Sequence, residues 1–145
     1  MRTSESVDIP AAPHVVFPYV ADLAVYPAWL PLVHEAFVAD VDTLAWEVEL
    51  RARVGPFARS KRLRMARTEI EHGRLVVFER AEVDGRVHAR WALRSELDEI
   101  DGGTRVTMHL AYDGALWTAG ILERVLDEEV RRGRAGLAAL IASDQ

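Results

Sequence analysis

The stretch VHARWALRSELDEIDGGTRVTMHLAY, residues 87–112, reads as two strands folded back on one turn. Val87, Ala89, Trp91 and Leu93 alternate with His88, Arg90 and Arg94, and further on Thr104, Val106, Met108, Leu110 and Tyr112 alternate with Arg105, Thr107 and His109. A period of two places each apolar set on one face of a strand. Between them Asp101-Gly102-Gly103 is a hairpin turn, because glycine accepts the positive φ that tight turns require. The same alternation runs through Leu44, Trp46, Val48, Leu50, Ala52 and Val54, and further breaks fall at Val54-Gly55-Pro56, His72-Gly73 and Asp84-Gly85. The reading is an antiparallel meander with one wet face and one covered face.

The cover is predicted in the C-terminal segment, from about Leu116 to Ala142. Ile121, Leu122, Val125, Leu126, Val130, Leu137, Leu140 and Ile141 recur there at helical spacing, with Glu123, Asp127, Glu128, Arg131, Arg132 and Arg134 on the other side. Gly133 and Gly136 weaken this amphipathic helix by about 1 kcal/mol each relative to alanine, and they allow a close pass or a kink over the sheet. At the other end, Arg2 to Ile9 reads as a strand and Pro13 opens a helix. Pro18 is expected to kink or shorten that helix, leaving Asp22 to cap a second short one that runs to about Pro27. Val33 to Ala39 reads as a further strand.

Composition narrows the chemistry. The chain has 145 residues, enough for one full core. Its 18 Lys and Arg against 23 Asp and Glu give a net charge of −5, which disfavours a general nucleic-acid surface. Cysteine is absent, which excludes disulfides, Cys-ligated zinc, iron–sulfur clusters and thiol nucleophiles. No apolar run approaches about 18 residues and no signal-like start is present, so the expectation is a cytoplasmic protein without integral membrane association. The five histidines show no HxH, HExxH or two-His-one-carboxylate spacing, and no P-loop, GxGxxG or GxSxG occurs. No metal and no cofactor is therefore expected.

Two segments together carry a resemblance: Ile9-Pro-Ala-Ala-Pro-His-Val-Val-Phe17 and Asp22-Leu-Ala-Val-Tyr-Pro-Ala-Trp-Leu-Pro-Leu-Val33. With Gly102-Gly-Thr-Arg-Val106 before a strand and the terminal amphipathic helix, the chain resembles the START-like (SRPBCC) superfamily of polyketide cyclases/aromatases, birch-pollen-allergen-like proteins and coenzyme-Q-binding proteins. Pro18 departs from the usual first helix. The resemblance implies an α+β helix-grip fold: a curved seven-stranded antiparallel sheet wrapped around a long C-terminal helix, with two short helices after the first strand. It implies a single START-like ligand-binding domain over residues 1–145, with an apolar cavity between sheet and helix.

Trp46, Phe78, Trp91 and Met108 fall on four segments in the register of the covered face, where they line a cavity or fill a core. The resemblance adds Tyr26, at the aromatic position before a proline. Among residues 57–67 the odd positions are the more apolar, which would turn Arg59 and Lys61 inward, and Arg80 shares a register with Val76 and Phe78. A cation there needs a partner; Glu35, in register with Val33 and Phe37, is the internal candidate, and a ligand carboxylate, phenolate or enolate is the functional one. Snorkelling at a sheet edge is the competing reading. The leading expectation is binding of a lipid, quinone or polyketide-like aromatic. The alternative, implied by the resemblance, is an aromatase/cyclase in which Arg59 or Lys61 with Arg80 stabilises an enolate and Glu35 or Tyr26 moves the proton. The partner expected is a hydrophobic small molecule; oligomeric state is not legible.

Overall fold

The computed structural model describes residues 2–113 and 119–145, apart from the side chains of residues 54 and 119–123. The predicted helix start near Leu116 lies outside the described residues, as do the side chains of Ile121, Leu122 and Glu123. Seven strands form one sheet: β1 (Arg2–Ile9), β2 (Val33–Asp40), β3 (Ala45–Val54), β4 (Phe57–Glu71), β5 (Leu75–Arg80), β6 (Arg90–Ile100) and β7 (Gly103–Asp113). Their spatial order is β1-β7-β6-β5-β4-β3-β2, every neighbouring pair antiparallel. A helix α1 (Pro13–Ala21) and a 3₁₀ turn of helix (Leu23–Ala28) follow β1, and α2 (Ala119–Asp144) closes the chain. This is the helix-grip arrangement that the sequence implied.

The turn at Asp101 sets Ile100 opposite Gly103 and carries the pairing through to Arg90 opposite Asp113. Gly102 sits there at φ 79°, a backbone that L side chains rarely adopt. Register makes the covered face: Trp91 pairs with Tyr112, Leu93 with Leu110 and Leu97 with Val106, all buried. Onto this face α2 lays Leu126, Val130, Leu137 and Ile141. Gly133 and Gly136 serve a close pass over the segment that follows the 3₁₀ turn. A methyl on Gly136 would overlap the Trp29 carbonyl oxygen, and one on Gly133 would overlap the Leu30 side chain.

Along its flank α2 is tied to β1. Thr3 Oγ1 donates to Asp127 at 2.5 Å, Arg131 and Arg134 approach Glu5 at 3.5 and 3.6 Å, and Arg134 donates to the Ser6 carbonyl at 3.1 Å. No helix among the described residues is long and apolar enough to cross a membrane.

Two local expectations are corrected. Val87 and Ala89 precede β6 instead of opening it: Asp84 accepts from the Arg86 amide at 3.0 Å and bonds the His88 ring at 2.8 Å, which holds the 81–89 connection as a loop with Val87 fully exposed. Leu44 belongs to the β2–β3 turn at φ 49°, because Asp40 accepts from the Asp42 amide at 2.9 Å and bends the chain there. Pro18 sits within α1, a short helix of nine residues that ends at Ala21. Asp22 caps the next turn as expected, accepting from the Ala24 amide at 2.9 Å.

Candidate functional site

Between the covered face and α2 lies an unfilled space of about 30 Å³, room for one or two waters. Leu23, Leu30, Leu32 and Val33 close one side of it. Val48 and Leu50 of β3, Leu63 and Met65 of β4, Trp91 and Leu93 of β6 and Leu110 of β7 form its floor, and Val130 is its roof. Every described lining residue is apolar. The space that these described residues enclose takes a larger molecule only if their lining parts.

Of the aromatic and Met positions read from the sequence, Trp91 borders this space. Tyr26, Trp46 and Phe78 pack beside it as one cluster, with Phe78 edge-on to both other rings at centroid distances of 5.9 and 5.5 Å. The Tyr26 hydroxyl donates to the Val20 carbonyl at 2.7 Å, and burial pushes its phenol well above the usual range. It is therefore a fixed neutral donor at physiological pH. Met108 lies buried on β7 between Ser95 of β6 and Glu5 of β1. The indole N–H groups of Trp46 and Trp91 are buried without an acceptor, an omission that costs about 1–3 kcal/mol for each such group.

The charged candidates separate. Glu35 points to the outer face: a bulge between Val33 and Glu35 shifts the register, so Glu35 pairs with Glu49 and its carboxylate lies exposed, 3.8 Å from Arg62. It does not face the space. Arg80 keeps the inward register, opposite Met65, but its Nε donates to Glu82 at 3.1 Å and its Nη1 to the Ala89 carbonyl at 3.3 Å. Glu82 also accepts from the Arg64 amide at 2.8 Å, so this buried guanidinium pins the 81–89 loop. Lys61 stands opposite Leu50 and two residues from Leu63, both in the lining, and its side chain has no hydrogen bond or ion pair among the described residues. Arg59, opposite Ala52, is exposed and lies 6.0 Å over the Phe57 ring. Lys61 thus stands at the border of the lining and Arg59 one step further out.

One group of possible metal ligands occurs among the described residues, Glu82, Asp84 and His88, with donor atoms within 4.8 Å of one another. Local contacts already engage it: Arg80 holds Glu82, and Asp84 holds His88 and the Arg86 amide.

A family model described as polyketide cyclase/dehydrase and lipid transport matches residues 1–142. The chain belongs to this family. No curated protein matches it in sequence. Among solved structures it is similar to a START superfamily protein from Mycobacterium smegmatis, with 13% identity, a TM-score of 0.80 and 99% of both chains covered. It is also similar to a protein from Thermus thermophilus, with 17% identity, a TM-score of 0.75 and coverage of 100% of this chain and 99% of the other. A third is the ZhuI aromatase/cyclase from Streptomyces, with 14% identity, a TM-score of 0.67 and coverage of 98% of this chain and 93% of the other. At these identities the likeness concerns the fold.

Polyketide cyclase/dehydrase and lipid transport proteins share a fold that typically binds hydrophobic ligands. In this member the residues missed from sequence are the aliphatic ones, above all Leu23, Leu30 and Leu32. Their signal was present inside the Asp22–Val33 segment, but a connection carries no period from which inward positions are counted.

Proposed function

We propose that the chain binds an apolar small molecule, of lipid, quinone or polyketide-like aromatic type, between its sheet and α2. The observation that carries this reading is the unfilled, wholly apolar space between the two layers, an arrangement suited to hydrocarbon or aromatic surface. Lys61 at its border suits an anionic end of the ligand, and the unpaired Trp91 N–H offers a donor to a carbonyl once the lining parts.

The family also contains cyclases, but enolate chemistry needs a group that takes or gives a proton beside the substrate. Tyr26 is committed to the Val20 carbonyl, Glu35 is on the outer face, and the described lining is hydrocarbon apart from the Trp91 indole and the Met65 thioether, neither of which takes or gives a proton readily. These features favour binding over turnover. The test is a titration of the full chain with 1-anilinonaphthalene-8-sulfonate, an apolar aromatic with one anionic end. Saturable one-to-one enhancement with a native far- and near-ultraviolet dichroism spectrum is expected. Enhancement that appears only as the near-ultraviolet signal is lost would refute the reading.

A further inference from the structure

The sheet has two edges, and they are treated differently. The β1 edge alternates polar groups, and α2 ties into it through Asp127, Arg131 and Arg134, the last taking up the Ser6 carbonyl. The 3₁₀ turn Leu23–Ala28 packs against β2, but no side-chain hydrogen bond or ion pair among the described residues ties it to that strand. Phe37 and Val38 are half exposed on opposite faces of β2, and Val41 and Leu44 extend the apolar surface past its end. Unpaired backbone groups with apolar side chains on an edge form a template for another strand.

The sequence of this edge specifies which strand. If β2 meets a second β2 antiparallel about Phe37, the two Phe37 rings face each other, Ala36 faces Val38 of the second copy, and His34 faces Asp40 of the second copy. The two bulges of β2, at Val33/Glu35 and Val38/Asp40, matter here. They bring His34 and Asp40 to the outer face that Phe37 occupies, since His34 lies 3.8 Å from Glu49 and Asp40 lies 3.9 Å from Arg64. The facing pairs are then aromatic with aromatic in the middle and imidazole with carboxylate at each end, both favourable across strands. Sliding the register by one residue sets Phe37 against Val38 or Ala36, which lie on the other face, and in one of the two directions it also sets Glu35 against Asp40, two carboxylates.

We propose that two copies of this chain associate through an antiparallel β2–β2 pair centred on Phe37, joining their sheets into one of twice the width. The dimer is isologous, so one surface serves both copies. Only a short strand and its neighbouring turn are buried, which places the contact at the small, weak end of protein interfaces.

The absence of cysteine makes the test direct. A Phe37→Cys variant carries a single thiol, and the proposed pairing brings the two copies of that position within disulfide reach. Mild oxidation is expected to cross-link this variant readily and to leave a Val87→Cys variant, whose thiol is fully exposed in the 81–89 loop, monomeric. Sedimentation velocity of the unmodified chain is expected to show a mass that rises with concentration towards the dimer. Replacement of His34 by Asp, which sets carboxylate against carboxylate, weakens the dimer several-fold. A monomer at every concentration, or cross-linking no faster at position 37 than at position 87, would overturn the proposal. Position 37 lies at the surface, so neither outcome depends on refolding the core.

Discussion

In the proposed binding mode Lys61 and Trp91 hold the two polar ends of the ligand. Replacing Lys61 by alanine removes a partly exposed side chain without a described partner, so stability changes by less than about 0.5 kcal/mol. Affinity for anilinonaphthalene sulfonate is expected to fall by about tenfold or more, the loss of one charge-assisted contact worth about 1.5–3 kcal/mol, while a neutral naphthalene probe binds as before. For Trp91→Phe the reverse selectivity is expected: a ketone-bearing probe loses affinity and a pure hydrocarbon does not. Trp46→Phe changes neither, since that ring packs against Phe78 outside the lining. Competitive titration separates the three.

Glu129 supplies a pH test. It is buried on α2, and burial, only partly offset by Arg132, raises its carboxyl above the usual range. An acid whose folded pKa is raised ionises at a cost in the folded state. Stability is therefore lost as pH rises through the unfolded carboxyl range, near 4.3, and the loss is complete above the folded value. Urea unfolding is expected to show Glu129→Gln more stable than the parent near neutral pH, with the difference closing in acid.

At this scale the sequence was readable where a strict period of two held. Trp46, Phe78, Trp91 and Met108 were all expected inward and are all buried. Glu35 was misplaced because a bulge moves a side chain across the sheet and leaves no mark in hydrophobic patterning.

Elements meet where small residues or buried ions permit it. Gly136 admits the Trp29 carbonyl against α2, so Gly136→Ala forces backbone apart and is expected to lower stability by about 1–3 kcal/mol. Gly133 faces only the movable end of Leu30, and the helix gains about 1 kcal/mol from alanine there, so thermal unfolding of Gly133→Ala is expected to stay close to the parent. The Arg80–Glu82 pair joins the end of β5 to the 81–89 loop. Arg80→Ala leaves the mostly buried Glu82 carboxylate without that partner, with a loss of about 3 kcal/mol or more and faster hydrogen exchange across residues 81–89. Unchanged exchange there would contradict the structural role given to Arg80. The loop itself was invisible to pattern reading, since Val87 and Ala89 extend the alternation of Trp91 and Leu93. Asp84, through its own side-chain hydrogen bonds, ends that alternation.

For the molecule as a whole, the hydrophobic half of the composition serves two layers, and the described residues pack one core between them. Strand count, helix position and the alternating faces followed from the sequence because each rests on local periodicity and turn chemistry. The order that places β1 beside β7 and leaves β2 at the far edge does not, because it depends on how a curved sheet closes over α2. Nor does the size of the space inside, which is a small difference between large packed volumes. A bound ligand adds to stability in proportion to the logarithm of its saturation, about 2.7 kcal/mol at a hundred times its dissociation constant. The most direct measurement of ligand binding is native mass spectrometry of the freshly purified chain. A population carrying one small apolar molecule is expected, released by organic extraction and restored one-to-one when the extract is added back. Only the bare mass, before extraction and after addition of a stoichiometric fatty acid, quinone or naphthoquinone, would contradict it.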